Sequence, residues 1–87
     1  MISKLEFFIA VAKEKHFGKA AASLGITQPT LSAGIQNLEN QLDVMLIKRG
    51  TRFQELTFEG QRVLDWAQKI CADARTMKEE IRSLKKG

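Results

Sequence analysis

Residues 20–42 read AAASLGITQPTLSAGIQNLENQL and carry the strongest structural signal in the chain. It predicts two helices that join at a tight turn around Gly25, with small alanines where the helices cross. Thr27 is a good N-cap for the second helix, and Pro29 lies in its first turn, where the missing N–H does no harm. The apolar residues that follow are spaced as one helix face: Leu31, Ile35, Leu38 and Leu42.

The opposite face of that helix carries short hydrogen-bonding side chains and no acidic one: Gln28, Thr30, Ser32, Gln36 and Asn37. Such a face suits the reading of base edges in the major groove of DNA. Gln28 could bridge adenine N6 and N7, and Thr30 could donate to an acceptor or touch a thymine methyl group. The alternative is an ordinary solvated helix face. We expect a DNA-reading helix.

Two further helices and a short hairpin are predicted around this unit. The first helix runs from about Ser3 to Glu14, with Ser3 as its N-cap and Glu6 completing a capping box. The second runs from about Gly18 to Leu24, and Lys19 near its start could touch a phosphate. After residue 42 the apolar period changes, and residues 47–56 read as two short strands around a glycine-containing basic turn, a wing.

The predicted wing carries three cations beside Gly50: Lys48, Arg49 and Arg52. We expect them to neutralise phosphates, with Arg52 entering the minor groove. A charged turn that serves only solubility is the alternative.

Length and composition limit the classes of function. The chain has 87 residues and a formal net charge of +4, which fits one domain, or one domain with an appended helix, and leaves little room for an enzyme cleft. The mild positive charge favours a nucleic-acid partner only modestly. No apolar run approaches the roughly 18 residues of a membrane span, and the amino terminus lacks a signal-peptide pattern, so we expect a cytoplasmic protein with no membrane partner.

The last part of the chain predicts one long helix with Thr57 as its N-cap. Apolar and small residues recur there in steps of four and three, and we call them the heptad seam: Val63, Ala67, Ile70, Ala74, Met77, Ile81 and Leu84. From Phe58 to Lys85 this helix would be about 42 Å long, too long to pack wholly on a small domain. The seam therefore predicts a homodimer.

The remaining residues that could bind a ligand or take part in catalysis are expected to have structural roles. His16 has no second ligand or acid–base partner at helical spacing and is expected in a connector. Cys71 lies beside the seam, which favours burial in a dimer interface over redox sensing. Phe58 and Trp66 are expected to pack the long helix onto the preceding domain. The sequence contains no metal-ligand spacing, phosphate-binding loop or nucleophile triad, so we expect no metal, no cofactor and no enzyme.

At this point the chain resembles the amino-terminal part of a LysR-type transcriptional regulator. The residues that carry the resemblance are Phe8 to Ala12, Phe17, Ala20-Ala21, Leu24 to Ser32, Ile35, Leu38-Glu39, Leu46, Arg49, Arg52, Leu56-Thr57 and Gly60. The resemblance covers nearly the whole chain. It implies a winged helix-turn-helix, then a linker helix that pairs antiparallel with its copy, then a separate effector-binding domain. A small-molecule effector is expected only for that further domain.

Carried over residue by residue, the resemblance implies a DNA-facing tip with the following members: Thr27, Gln28, Pro29, Thr30, Ser32, Ala33 and Gln36. Three positions depart from the family pattern. Asp43 stands where the family usually has glycine, and Ile47 where a phenylalanine is common. Ala33 replaces a frequent arginine and is followed by Gly34, which we expect to allow close approach to the DNA backbone.

The sequence therefore predicts a mainly α protein, with a winged helix-turn-helix of three helices and a small β-hairpin over residues 1–57. Within it the helix-turn-helix covers about 17–37 and the wing about 47–56, and residues 58–87 form a linker and dimerisation helix. The expected function is sequence-specific binding of an imperfect inverted repeat in double-stranded DNA by a homodimer. The alternative is a coiled-coil protein-interaction module without specific DNA binding.

Overall fold

The first helix forms the centre of the molecule and packs against each of the other three described helices. The computed structural model describes residues 1–48 and 55–86. Within them the helices are α1 (Ile2–Glu14), α2 (Phe17–Leu24), α3 (Gln28–Leu42) and α4 (Phe58–Lys86). The mainly α prediction is confirmed. The long α4 makes the molecule elongated, with extents of 53 × 25 × 19 Å.

The start of α1 differs from the prediction. The helix begins one residue before Ser3, its N-cap is Met1, and that cap makes no side-chain hydrogen bond. The predicted capping box of Ser3 and Glu6 is therefore wrong, because Ser3 already lies inside the helix. At the other end Lys15 takes the left-handed conformation, with φ 55°, and its N–H donates to the Val11 carbonyl.

The turn between α2 and α3 forms as predicted. Gly25 closes α2 with φ 69°, the left-handed conformation in which glycine has no steric penalty. Its N–H donates to the carbonyls of Ala21 and Ala22. Thr27 then takes an extended conformation as the N-cap of α3.

Asp43, at the end of α3, stands at the position where the resemblance predicts a glycine. Its φ is 56°, so a non-glycine residue takes the left-handed cap. Aspartate tolerates this conformation better than most residues.

The predicted β-hairpin lies largely outside the described residues. The described part contributes a single antiparallel bridge between Ile47 and Leu56, and the Lys48 N–H donates to the Glu55 carbonyl at 2.8 Å. This bridge forms the root of a closed loop. No extended strand is assigned within residues 1–48 and 55–86, so the wing stays a prediction.

One hydrophobic core joins the helices. Its largest fully buried side chains are Phe8, Val11, Leu31, Leu38 and Leu46. Ala67 and Cys71 of α4 belong to the same core, and Val63 and Leu64 pack against it. The first half of α4 is therefore part of the globular head. The division between head and linker helix at residue 57 stays a prediction.

Three predictions about α4 are wrong. Phe58 and Trp66 were expected to pack α4 onto the head, but they are 79% and 57% exposed. Ala67 was expected in the dimer interface, yet it is fully buried within its own chain. Cys71 is buried by its own chain too, and not by a partner. The side of α4 that meets the core carries Ala67 and Cys71, with Val63 and Leu64 packed against it, and the two aromatic residues lie outside that side.

Gly60 lets the first turn of α4 touch the backbone of residue 46. A Cβ added at Gly60 would lie 2.1 Å from the Leu46 carbonyl oxygen, far inside van der Waals contact. The Gly60 N–H also donates to Thr57 Oγ1 at 2.8 Å, so Thr57 caps α4 as predicted. Only glycine fits this approach without moving α4.

Gly60→Ala should therefore lower the free energy of unfolding by about 1–3 kcal/mol through overpacking, although alanine is the better helix former. Thermal and urea unfolding followed by circular dichroism will measure the loss. Thr76→Ala, an exposed change on the same helix that also raises helix propensity, is the control. Equal stability of the two variants would contradict the close approach.

Candidate nucleic-acid interface

The outward face of α3 is a continuous uncharged polar surface. Its inner side is buried at Leu31, Gly34, Ile35, Leu38 and Glu39. The residues predicted for the DNA-facing tip are all exposed: Thr27, Gln28, Pro29, Thr30, Ser32, Ala33 and Gln36. The only acidic side chain within α3 is therefore buried, and no carboxylate of this helix lies on the exposed face.

The first turn of α3 is held by two hydroxyl groups. The Thr30 N–H donates to Thr27 Oγ1 at 3.3 Å, and the Thr27 hydroxyl donates to Thr30 Oγ1 at 2.9 Å. Thr27 uses both its acceptor and its proton inside the cap, so it orients the turn and has no proton left for a ligand. The Thr30 hydroxyl keeps its own proton available to a partner outside.

The start of α2 lies next to the start of α3. His16 is the N-cap of α2, and its Nδ1 accepts a hydrogen bond from the Lys19 N–H at 3.1 Å. The sequence did not predict this cap, because histidine is not among the preferred N-cap residues. A Cβ at Gly18 would lie 3.6 Å from Gln28 Oε1, which brings Gln28 beside the first turn of α2. Lys19 is exposed at this junction.

Gly34 does not face outward as expected. It is buried, and an added Cβ would lie 2.6 Å from the ring of Phe7 on α1. The glycine lets α1 and α3 approach each other inside the core. Approach to a DNA backbone is therefore not its role.

The cations predicted for the wing are described only in part. Lys48 is exposed, and its Nζ lies 3.7 Å from Glu55 Oε2, with both side chains about half exposed. This ion pair, which the sequence analysis did not anticipate, partly offsets the charge of Lys48. Arg49 and Arg52 lie outside the described residues.

Glu39 is the functional candidate to which the sequence analysis assigned no role. Its side chain is only 4% exposed, and Oε2 accepts hydrogen bonds from the N–H groups of Leu46 at 2.7 Å and Ile47 at 3.4 Å. A buried carboxylate ties the inner side of α3 to the root of the loop. A lone acidic residue on the apolar face of a predicted helix was the signal for such a contact.

A shallow groove continues the outward face of α3 toward its carboxyl end. Its volume is about 370 Å³, and its lining comprises Gln36, Glu39, Asn40, Asp43, Val44 and Met45. Most of these groups are polar or small. The groove widens the surface beside Gln36 without creating an enclosed ligand cavity.

Cys71 has the surroundings of a buried structural cysteine. Burial raises the pKa of the Cys71 thiol, and the Glu6 carboxylate adds to this effect, so the thiol stays protonated and weakly nucleophilic. Within residues 1–48 and 55–86 no cluster of three or more metal-ligand side chains occurs. The helices in this part of the chain are too short or too polar to cross a bilayer.

The arrangement can recognise an extended polar surface. It combines a helix that presents donors and acceptors without a net charge, an exposed lysine beside the start of that helix, and a loop whose described root carries Lys48. Hydrogen-bonding groups on one exposed helix face suit the base edges of DNA.

Comparison with known sequences shows that the chain is similar to bacterial regulators. The model of the family described as "Bacterial regulatory helix-turn-helix protein, lysR family" matches residues 2–61. The regulator AlsR of Bacillus subtilis is 54% identical over 61 residues, which cover 70% of this chain and 20% of AlsR. BudR of Klebsiella aerogenes is 42% identical over 83 residues, which cover 95% of this chain and 58% of BudR. The chain thus spans less than two thirds of these relatives.

Comparison with solved structures extends the similarity to the whole chain. The crystal structure of the BenM DBD/catB site 1 DNA complex is similar to it with a TM-score of 0.96 and 37% sequence identity. The match covers 100% of this chain and 98% of that one. It therefore includes the long α4 as well as the helix-turn-helix.

Proposed function

Because the chain belongs to the lysR family of bacterial regulatory helix-turn-helix proteins, we propose that it binds double-stranded DNA sequence-specifically as the DNA-binding part of a transcriptional regulator. The observation that carries this proposal is the exposed, uncharged polar face of α3, held in place by the Gly25 turn and the Thr27 cap. The BenM domain in the similar crystal structure is bound to DNA. Such binding implies a location in the bacterial cytoplasm, where the chromosome lies.

In the proposed complex α3 enters the major groove by its amino-terminal half. Gln28 and Gln36 offer amide groups that pair with adenine in two hydrogen bonds, and Thr30 and Ser32 offer single donors. Pro29 and Ala33 supply apolar contact with thymine methyl groups. Thr27 acts through the helix cap, and Lys19 neutralises a phosphate beside it.

The proposed wing lies over residues 47–56 and carries Lys48, Arg49 and Arg52. The antiparallel bridge between Ile47 and Leu56 supports this proposal, because it brings the two ends of the segment together. Arg49 and Arg52 are assigned to the phosphate backbone and the minor groove, where arginine is favoured by the negative potential. Lys48 contributes less to phosphate binding because the Glu55 carboxylate lies beside its ammonium group.

A homodimer through α4 completes the proposed function. Five of the apolar residues of α4 that remain exposed lie on one side of the helix, and we call them the exposed stripe: Trp66, Ile70, Met77, Ile81 and Leu84. Phe58, which is also exposed, lies on another side. This stripe is turned by about a quarter of a helical turn from the buried side of α4. Four members of the heptad seam belong to it, and Ala74 is half-buried beside it. Val63 and Ala67 serve the head instead.

Pairing of two stripes would remove from water an apolar surface that monomers avoid, and the family pattern favours an antiparallel pair. The two heads would then bind the halves of an imperfect inverted repeat. The chain covers only a part of the length of AlsR and BudR. Effector binding by a further domain of the whole protein stays a proposal.

The competing function is a coiled-coil module that binds only protein. The salt dependence of DNA affinity separates the two. A dimer that neutralises about six to ten phosphates should lose roughly a thousandfold or more in affinity between about 50 and 200 mM salt. Fluorescence anisotropy with a labelled duplex will measure this loss. Self-association without any salt-dependent DNA affinity would instead support the protein-interaction module.

Gln28→Ala should weaken binding to a selected duplex by about 1–3 kcal/mol and relax base preference at one position in each half-site. The reason is the loss of a two-point contact from the first turn of α3. Competition between selected and scrambled duplexes gives the measurement. Gln68→Ala, on an exposed turn of α4, should change neither affinity. Equal weakening toward both duplexes would exclude base reading by Gln28.

Ile70→Asp should convert the dimer into folded monomers, because pairing would bury an unpaired carboxylate. Ile70 is 39% exposed in the single chain, so the head can accept the charge. Sedimentation equilibrium will report the mass, and circular dichroism the fold. Gln68→Asp places the same charge on another side of α4 and should leave the dimer intact. A dimeric Ile70→Asp variant would move the interface elsewhere.

A further inference from the structure

We propose that Glu39 is a positioning residue that sets the angle between α3 and α4 and thereby selects the spacing between the two DNA half-sites. The proposal rests on the dimeric DNA binding proposed above. Its structural basis is a chain of hydrogen bonds through the peptide groups of residues 45–47, which we call the Leu46 relay. The relay joins the helix assigned to DNA reading to the helix assigned to dimerisation.

The α3 end of the relay is a buried, charge-assisted contact. Glu39 Oε2 accepts from the Leu46 N–H at 2.7 Å and from the Ile47 N–H at 3.4 Å. Hydrogen bonds to a carboxylate are stronger than those between neutral groups, and burial makes their loss expensive. The position of Leu46 relative to α3 is therefore closely fixed.

The α4 end of the relay uses the other side of the same residue. The Leu46 carbonyl accepts from the Thr57 N–H at 3.0 Å, and Gly60 brings the backbone of α4 against that oxygen. The Thr57 hydroxyl donates to the Met45 carbonyl at 2.5 Å and accepts from the Gly60 N–H. The start of α4 is therefore attached to residues 45 and 46 by two directed hydrogen bonds, both made by Thr57, and by the close approach of Gly60.

The apolar packing between α1 and α4 has a different physical character. Both helices contribute to the same hydrophobic cluster, but burial of apolar surface is non-directional and tolerates small rotations. Hydrogen bonds weaken steeply when they are bent. We therefore infer that apolar packing holds α4 against the head, and that the Leu46 relay sets the angle of α4.

The length of α4 amplifies any change at its base. The helix runs from Phe58 to Lys86, and most of the exposed stripe lies in its far half. Beyond Cys71, the last core residue of α4, about 22 Å of helix remain, so a change of about 10° in the angle of α4 would move its end by roughly 4 Å, about the rise of one base pair. A modest loosening of the relay would therefore alter the separation of the two heads.

The test compares duplexes that differ only in half-site spacing. A duplex selected from a random library by the unchanged chain is the probe, together with versions carrying one or two extra base pairs between the half-sites. Glu39→Gln keeps the shape of the side chain but removes its charge, and Thr57→Val removes the hydroxyl at the α4 end. Both variants should reduce the preference for the selected spacing by about fivefold or more, while base preference within each half-site stays unchanged.

Glu79→Gln, the same charge change on an exposed part of α4, is the matched control and should keep the full spacing preference. A role limited to stability would lower the melting temperature and weaken binding to all spacings by the same factor. An unchanged spacing preference in Glu39→Gln and Thr57→Val would therefore overturn the proposal.

A second measurement needs no DNA, so it separates failure of this inference from failure of the proposed function. Spin labels at Asn37→Cys and Arg82→Cys, in a Cys71→Ala background and diluted with unlabelled chain, report the distance between α3 and the far part of α4. Glu39→Gln should broaden or shift this distance by about 3 Å or more, as the lever estimate above requires. An identical distance distribution would overturn the positioning role, even if the unchanged chain selected no DNA.

Discussion

The backbone of Leu46 is the point on which the arrangement of the helices depends. Its N–H is held by the buried Glu39 carboxylate, and its carbonyl is held by the Thr57 N–H at the start of α4. A carboxylate without partners could not stay buried, because desolvation costs several kcal/mol. Its bonds to Leu46 and Ile47 therefore fix where the chain leaves α3. Gly60 completes the junction because any side chain there would collide with the same carbonyl.

The long helix α4 serves two packing partners with two different faces. Near its start, small and medium side chains such as Ala67 and Cys71 meet the core that also contains Phe8 and Val11 of α1. Farther along, Met77, Ile81 and Leu84 remain exposed. The division follows from length, since a helix of 29 residues extends beyond a head built on three short helices. The part that the head cannot cover supplies the surface for the proposed dimer.

In α3 the core-packing residues and the exposed polar residues lie on opposite sides of the same helix. Gly34 faces inward, where the ring of Phe7 leaves no room for a side chain, so α1 and α3 lie close together. The only acidic residue of α3 is buried, and the exposed side keeps uncharged polar groups. A surface of this kind does not repel a polyanion and still offers directed hydrogen bonds, which is the combination that base reading requires.

Elements with local signals could be predicted from the amino-acid sequence. The Gly25 turn, the Thr27 cap, Pro29 in the first turn and the apolar spacing of α3 predicted that helix correctly, because caps and helical period depend on residues a few positions apart. The same signals, with the resemblance they carry, identified the family. A local signal also misled the analysis at Ser3, where the helix begins earlier than its best capping residue.

Tertiary structure alone decided which face of each helix meets which neighbour. A heptad pattern cannot distinguish a partner helix from the protein's own core, so Ala67 was assigned to the wrong surface. Hydrophobicity favoured burial of Trp66 and Phe58, but the side of α4 that meets the core carries Ala67 and Cys71 instead. The roles of Gly34 and Gly60 depend on the Phe7 ring and on the Leu46 carbonyl, which lie far from them in the sequence. Such contacts exist only after the helices have packed, and for that reason no local pattern in the sequence encodes them.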